Sequence, residues 1–127
     1  MLPERYERAV AAGNGDLQKA TDRVERALLG AVLLAGHVPK VPPRPEDFAA
    51  EAHRVTWGAV LAVVARGEEP ELTRVAYELA AGGALERAGG DAYLAGHLDN
   101  TDCSDIQTYA RLVREAARMR RLGRLRP

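Results

Sequence analysis

Apolar residues recur at intervals of three and four along most of this chain, and proline or glycine interrupts them at helix-sized lengths. That combination restricts the fold to a set of short packed helices. The widest stripe lies in residues 16–35, where Val24, Leu28, Ala31, Val32 and Ala35 share one face and Leu29, Leu33 and Leu34 broaden it. A stripe this broad needs neighbours on more than one side, so the segment is expected at the centre of the core. Asp16 suits an N-cap, Asp22 with Glu25 three residues later reads as a second start, and Gly36 ends the helix. Aromatic residues make up only 5% of the sequence, which with the abundant alanine and leucine favours helix over strand.

The remaining elements follow from the same punctuation. Residues 3–12 suit a short helix, closed by Gly13-Asn14-Gly15, in an N-terminal extension over 1–21 that precedes a single domain over 22–127. Prolines at 39, 42, 43 and 45 impose a loop, and Pro45 is expected to open a helix with Glu46 and Asp47 in its first turn. Phe48, Ala52, Val55, Ala59 and Val60 would form its core face, with Gly67 at its end. His53, one turn before Trp57, is expected against that ring at the edge of the core. Pro70 begins the next helix, in which Leu72, Val75, Ala76, Leu79 and Ala80 make one stripe before Gly82-Gly83 stops it. A helical turn over 84–88 and the Gly89-Gly90 break lead to a short helix capped by Asp91 that carries Tyr93, Leu94 and Leu98.

Ser104 and Gln107 form a capping-box pair at the start of the last helix. Ile106, Tyr109, Ala110, Val113 and Ala117 lie on one of its faces, and Leu112, Ala116 and Met119 make a second stripe. The short link before it predicts an antiparallel hairpin over about 91–121. The expected fold is all-α: a compact head of about four to six helices plus this C-terminal hairpin and a basic tail to 127.

Charge narrows the functions open to the chain. Eighteen basic and eighteen acidic residues cancel, yet residues 111–126 hold arginines at 111, 114, 118, 120, 121, 124 and 126 against Glu115 alone. The tail is thus strongly positive and the body equally negative, so only the tail suits a phosphate backbone. A solvated helix end, or a linker toward something C-terminal, is the simpler reading of these arginines; contact with nucleic acid or an acidic partner is the functional one, through Arg111, Arg114, Arg118, Arg121 and Arg124.

Catalytic and cofactor motifs are missing. A P-loop needs lysine after glycine and before serine or threonine, whereas Lys19 follows glutamine and Lys40 follows proline, so no Walker A sequence is present. The paired glycines follow a helix, which suits helix stops and not a dinucleotide-binding turn. His37, His53 and His97 have no partner at zinc-ligand spacing. Cys103, the single cysteine, has no histidine nearby to activate it, and a lone cysteine suits a reducing cytoplasm. Asp99, Asn100, Asp102 and Asp105 fit turn and cap chemistry and not a calcium loop. No apolar run reaches bilayer length. The expectation is a cytoplasmic, non-enzymatic chain with no cofactor, no metal and no membrane contact.

Five stretches, in order, resemble one family. Residues 24–34 (VERALLGAVLL), then Pro45-Glu46-Asp47-Phe48 followed by His53-Arg54, Trp57 and Val60, then 67–79 (GEEPELTRVAYEL), Gly89-Gly90-Asp91-Ala92-Tyr93-Leu94, and Tyr109-Ala110-Arg111-Leu112-Val113-Arg114-Glu115 look like segments of the N-terminal domain of bacterial replicative, DnaB-type DNA helicases. The resemblance covers about residues 22–122. It implies a helical head with a protruding hairpin, in which hairpins pair into dimers and three dimers form a collar that receives primase or a helicase loader. In that family a RecA-like ATPase domain normally follows, and nothing of it is carried over here. The resemblance makes this chain an oligomerisation and partner-docking domain acting in DNA replication. Tyr93, Leu94, Tyr109, Leu112, Val113, Ala116 and Met119 are the expected self-association or partner residues. The alternative is a stand-alone DNA-binding or regulatory protein using the arginine-rich helix.

Overall fold

The computed structural model describes residues 15–99 and 105–124, with the side chain of residue 124 outside the description. The elements run α1 (Gly15–Ala35), a 3-10 turn (Pro45–Asp47), α2 (Glu51–Ala65), α3 (Leu72–Ala81), α4 (Gly90–Gly96) and α5 (Ile106–Arg124). Among the described residues there is no strand, so the expected all-α class holds. The short helix expected over 3–12, Cys103 and Ser104 lie outside the described residues.

The broad stripe of α1 sits where its width predicts. Leu28, Leu29, Ala31, Val32 and Leu33 are all buried, and α5 packs along this helix more extensively than any other element does. Leu34, grouped with them by spacing, is instead half exposed. The helix is continuous from Gly15, so Asp22 and Glu25 start nothing and the boundary placed between residues 21 and 22 falls inside it. Gly36 closes it with φ of +77°, a left-handed conformation that costs glycine little.

Pro45 opens a three-residue 3-10 turn and not the long helix expected. Phe48 and Ala50 are both extended, and α2 starts only at Glu51. The tight turn lets Phe48 drop into the core beside Trp57, with ring centroids 5.3 Å apart. The indole N–H of Trp57 donates to the carbonyl of Pro43 at 2.7 Å, tying the proline-rich loop to α2. Arg54 adds a clamp from the helix side, donating to the carbonyls of Phe48 and Ala49 at 3.0 and 2.8 Å.

α3 contains its whole stripe but starts at Leu72, because Glu71 and not Pro70 caps it. The Glu71 carboxylate accepts the backbone N–H groups of Arg74 and Thr73, and the Arg74 bond above all holds its carboxyl below the usual range. α4 begins at Gly90 with Gly89 as N-cap, which puts Asp91 inside the first turn and not at the cap.

The hairpin expected over 91–121 is not the arrangement that carries the packing. α4 is a seven-residue helix leaning on α3, whereas α5 spans nineteen residues and lies chiefly along α1. The reason is area: two turns of α4 offer far less apolar surface than the five-residue core of α1. The capping box expected between Ser104 and Gln107 lies outside the described residues; Gln107 accepts the backbone N–H of Lys40 at 3.1 Å and so joins α5 to the proline-rich loop.

Candidate interaction site

Three features of this bundle carry polar or partner chemistry: the outward side of α5, a cleft of arginines at its C-terminal half, and a polar cluster inside the head.

On α5, Ile106, Ala110, Val113 and Ala117 are buried, as the first stripe predicts. The second stripe divides. Met119 is buried, while Leu112 and Ala116 remain half-buried. Leu94 is also fully buried, and Tyr93 and Tyr109 are half-buried. Leu94, Val113 and Met119 are therefore enclosed within the chain's own bundle. Tyr109, Leu112 and Ala116, spaced at three and four residues, stay on one accessible face. Sequence spacing marks which residues an amphipathic helix buries, but not whether the neighbour belongs to the same chain.

Arg111, Arg114, Arg118 and Arg121 follow the same three-and-four spacing around another side of α5. The fold brings Arg44 opposite them, and together with Asp47 and Glu115 they line a cleft of about 480 Å³. Asp47 is its hinge. Only 5% exposed, it accepts the Arg44 backbone N–H at 3.0 Å through one carboxylate oxygen and the Arg121 guanidinium through the other. Its backbone carbonyl takes a hydrogen bond from Arg120 at 2.7 Å. Arg114 donates to the carbonyl of Val41, and Arg111 pairs with Glu115 one turn along. Much of the tail expected to be loose or bound for phosphate is thus already bonded to the 41–47 segment. Asp47 lacked any distinguishing signal in the sequence, where it reads as an ordinary first-turn acid.

The interior holds a polar chain that spacing arguments missed. Glu25, fully buried, accepts the backbone N–H groups of Ala49 at 2.6 Å and Ala50 at 3.4 Å. Its other bond is to Nδ1 of His53 at 2.8 Å. A carboxylate only accepts, so Nδ1 donates to Glu25, and Nε2 is bonded to the Tyr93 hydroxyl at 2.8 Å. Burial, and after it the charge of Asp22, pushes the Tyr93 phenol above its ordinary range, which keeps it a donor. Gly89 allows this ring its position: a Cβ there would stand 2.5 Å from Tyr93 Cδ2, and φ is +101°. His53 is therefore central and wholly buried, not at the edge against Trp57 as expected. One signal did exist. Glu25 stands three, four and seven residues before Leu28, Leu29 and Val32, on the buried stripe itself.

His97 completes this cluster differently. It is 2% exposed and packs edge-on against His53 and Tyr93, at centroid distances of 5.6 and 4.9 Å. Neither ring nitrogen has a hydrogen-bond partner among the described residues. Burial, then the nearby His53 and Arg26, lowers its pKa from 6.5 to about 4. A cleft of about 410 Å³ adjoins it, lined also by Asp22, Arg23, Arg26 and Asp99. Together with Glu25, His53 and Tyr93, His97 forms a polar cluster in the interior of the head. Among the described residues no cluster of three or more His, Cys, Asp or Glu could hold a metal ion, and no helix is long and apolar enough to cross a membrane.

Comparison with known proteins agrees with this architecture. The family model described as DnaB-like helicase N terminal domain matches residues 18–115. The chain is 42% identical over 104 residues to the replicative DNA helicase DnaB of Geobacillus stearothermophilus, a match covering 79% of this chain and 23% of that protein. It is 32% identical over 115 residues to the replicative DNA helicase DnaC of Bacillus subtilis (strain 168), covering 87% and 25%. It thus spans about a quarter of the length of these relatives. Among solved structures, the crystal structure of the N-terminal domain of DnaB helicase from Mycobacterium tuberculosis superposes with a TM-score of 0.70 at 31% identity, over 80% of this chain and 76% of that one. The ordered motifs, the helical bundle and these matches agree, and the chain belongs to the DnaB-like helicase N-terminal domain family.

Proposed function

We propose that this chain is a non-catalytic collar domain of the replicative-helicase type, cytoplasmic, which self-associates and docks primase or a helicase loader during DNA replication. The observation that carries this reading is the family match over residues 18–115 together with the bundle it shares with a DnaB N-terminal domain. The absence of a Walker A sequence agrees with a role in assembly and not in ATP hydrolysis. Self-association would run through the accessible α5 face of Tyr109, Leu112 and Ala116, since Leu94, Val113 and Met119 are enclosed. The dimer, and a trimer of dimers built from it, are tested by size-exclusion chromatography with light scattering across a concentration series. A dimer or larger species at high micromolar concentration is expected, shifting toward monomer in Leu112→Lys while the helical circular dichroism persists. A strict monomer at every concentration removes the self-association claim. Co-elution with the helicase-binding domain of a primase tests the docking claim separately.

The DNA-binding alternative carries less. Arg114, Arg120 and Arg121 already hydrogen-bond within the chain, and two carboxylates lie in the cleft that Arg114 and Arg121 line.

A further inference from the structure

Five arginines line the cleft with the carboxylates of Asp47 and Glu115, and Glu46 lies 3.8 Å from Arg44, so positive charge remains in excess. Two of the cleft's arginines are already held in place. Arg121 is held by Asp47 and Arg114 by the Val41 carbonyl, so a ligand need not order them. Each guanidinium has five N–H donors, and the single bonds made here leave most of them available. Arg118 makes no ion pair or hydrogen bond with another described residue. From Arg111 to Arg121 the stripe runs ten residues along the helix, roughly 15 Å at 1.5 Å per residue.

Two observations favour a protein over a nucleic acid in this cleft. Asp47 and Glu115 lie among the arginines and would repel a closely spaced run of phosphates, as would the acidic body around the cleft. A peptide carries its acids at intervals, with room between them. Beside Arg114 the side chain of Val41 is 61% exposed, an aliphatic foothold next to the charges. Planar guanidinium forks suit carboxylates in bidentate pairs.

We infer that the cleft between the 41–47 segment and the arginine face of α5 is the docking site for an acidic amphipathic helix of a partner protein. Such a helix would set carboxylates about two turns apart against Arg111 and Arg118, which lie seven residues apart on α5, and an aliphatic side chain on Val41. The inference deepens the collar reading, on which it rests, by naming the surface and the chemistry of the partner.

The test is an amide-shift titration of the isotopically labelled 127-residue chain. The probe is a short acetylated and amidated helical peptide of Glu, Leu and Ala; the controls are the same peptide with Gln for Glu and a random-sequence DNA duplex. Shifts confined to residues 41–47 and 111–121 are expected with the Glu peptide alone. Arg111→Glu with Arg118→Glu should weaken binding at least about tenfold, and Arg111→Gln with Arg118→Gln should weaken it less. Arg23→Glu, in the cleft beside His97, should leave it unchanged. Shifts elsewhere, no shifts at millimolar peptide, unaltered binding by the charge-reversed variant, or tighter binding of the duplex at the same residues would each overturn the inference. Light scattering on the same samples separates the two readings. A chain that assembles but ignores the peptide loses this inference and keeps the collar role; one that does neither loses both.

Discussion

Two carboxylates, Glu25 and Asp47, perform the same local task in opposite surroundings. Glu25 accepts two backbone N–H groups and Asp47 one from the irregular stretch between α1 and α2, and each ties that stretch to a helix, Glu25 from α1 and Asp47 through Arg121 of α5. Glu25 does so from α1 with no solvent exposure, and its partners are two amides and an imidazole. Asp47 does so at the α5 side, where its partners are arginines left 45% and 63% exposed. In the first region a lost partner strands buried polar groups. In the second, water and salt replace much of what is lost. Stability should therefore concentrate at Glu25 and adaptability at Asp47, which fits a bundle with a firm interior and a binding rim.

The sharpest way to break this contrast is Glu25→Ala. It strands the amides of Ala49 and Ala50 and the Nδ1–H of His53, and should cost roughly 3 kcal/mol or more in urea-denaturation experiments. A loss below about 1 kcal/mol would mean that water reaches this site and the two regions are alike.

Acid should act on the same interior. His97 is held near pKa 4 when folded and titrates near 6.5 when unfolded, so between these values the unfolded chain binds the extra proton. Stability is complete above pH 6.5, falls as the pH drops toward 4, and levels off below. The contribution should be on the order of 2 kcal/mol, less than the full shift implies because water in the adjoining cleft screens the charge. His97→Phe should flatten this part of the pH profile while leaving neutral-pH stability equal or higher, since it removes two unpaired ring nitrogens. An unchanged profile would move the acid sensitivity to another group.

Gly89→Ala reaches the interior through the backbone. The new Cβ would require a left-handed conformation and would displace Tyr93 from His53. A loss of about 1–2 kcal/mol is expected, together with a change in Tyr93 fluorescence. Arg121→Ala should have the smallest effect, about 0.5–1 kcal/mol and reduced further by salt. Thermal melts at two ionic strengths measure it, and a large, salt-independent loss would move Asp47 into the same class as Glu25.

Much of the helical layout was legible because local rules govern it. Gly36 and Gly67 end helices at positive φ where the periodic stripes stop. α3 follows its spacing, with Val75 and Leu79 buried. The placement of α1 at the centre followed from the width of its stripe. The polar sites were harder to read. His53 and Glu25 are 28 residues apart, and His53 and Tyr93 are 40 apart. Residue types alone do not state which distant pair will meet. Pro45 misled for a related reason. A proline with two acids after it opens a helix locally, but burying Phe48 beside Trp57 ends the turn after three residues.

The sequence by itself determined the all-helical class, most of the helix ends, most of the buried faces and the resemblance to a family, because periodicity, punctuation and ordered motifs are local or linear properties. Only the tertiary structure decided which helix meets which. It laid α5 along α1, enclosed Leu94, Val113 and Met119, and drew Arg44 across from Arg111, Arg114, Arg118 and Arg121. The physical reason is that apolar burial is non-directional. A stripe records that a face leaves water, and the competition among all faces for the largest shared area selects its partner.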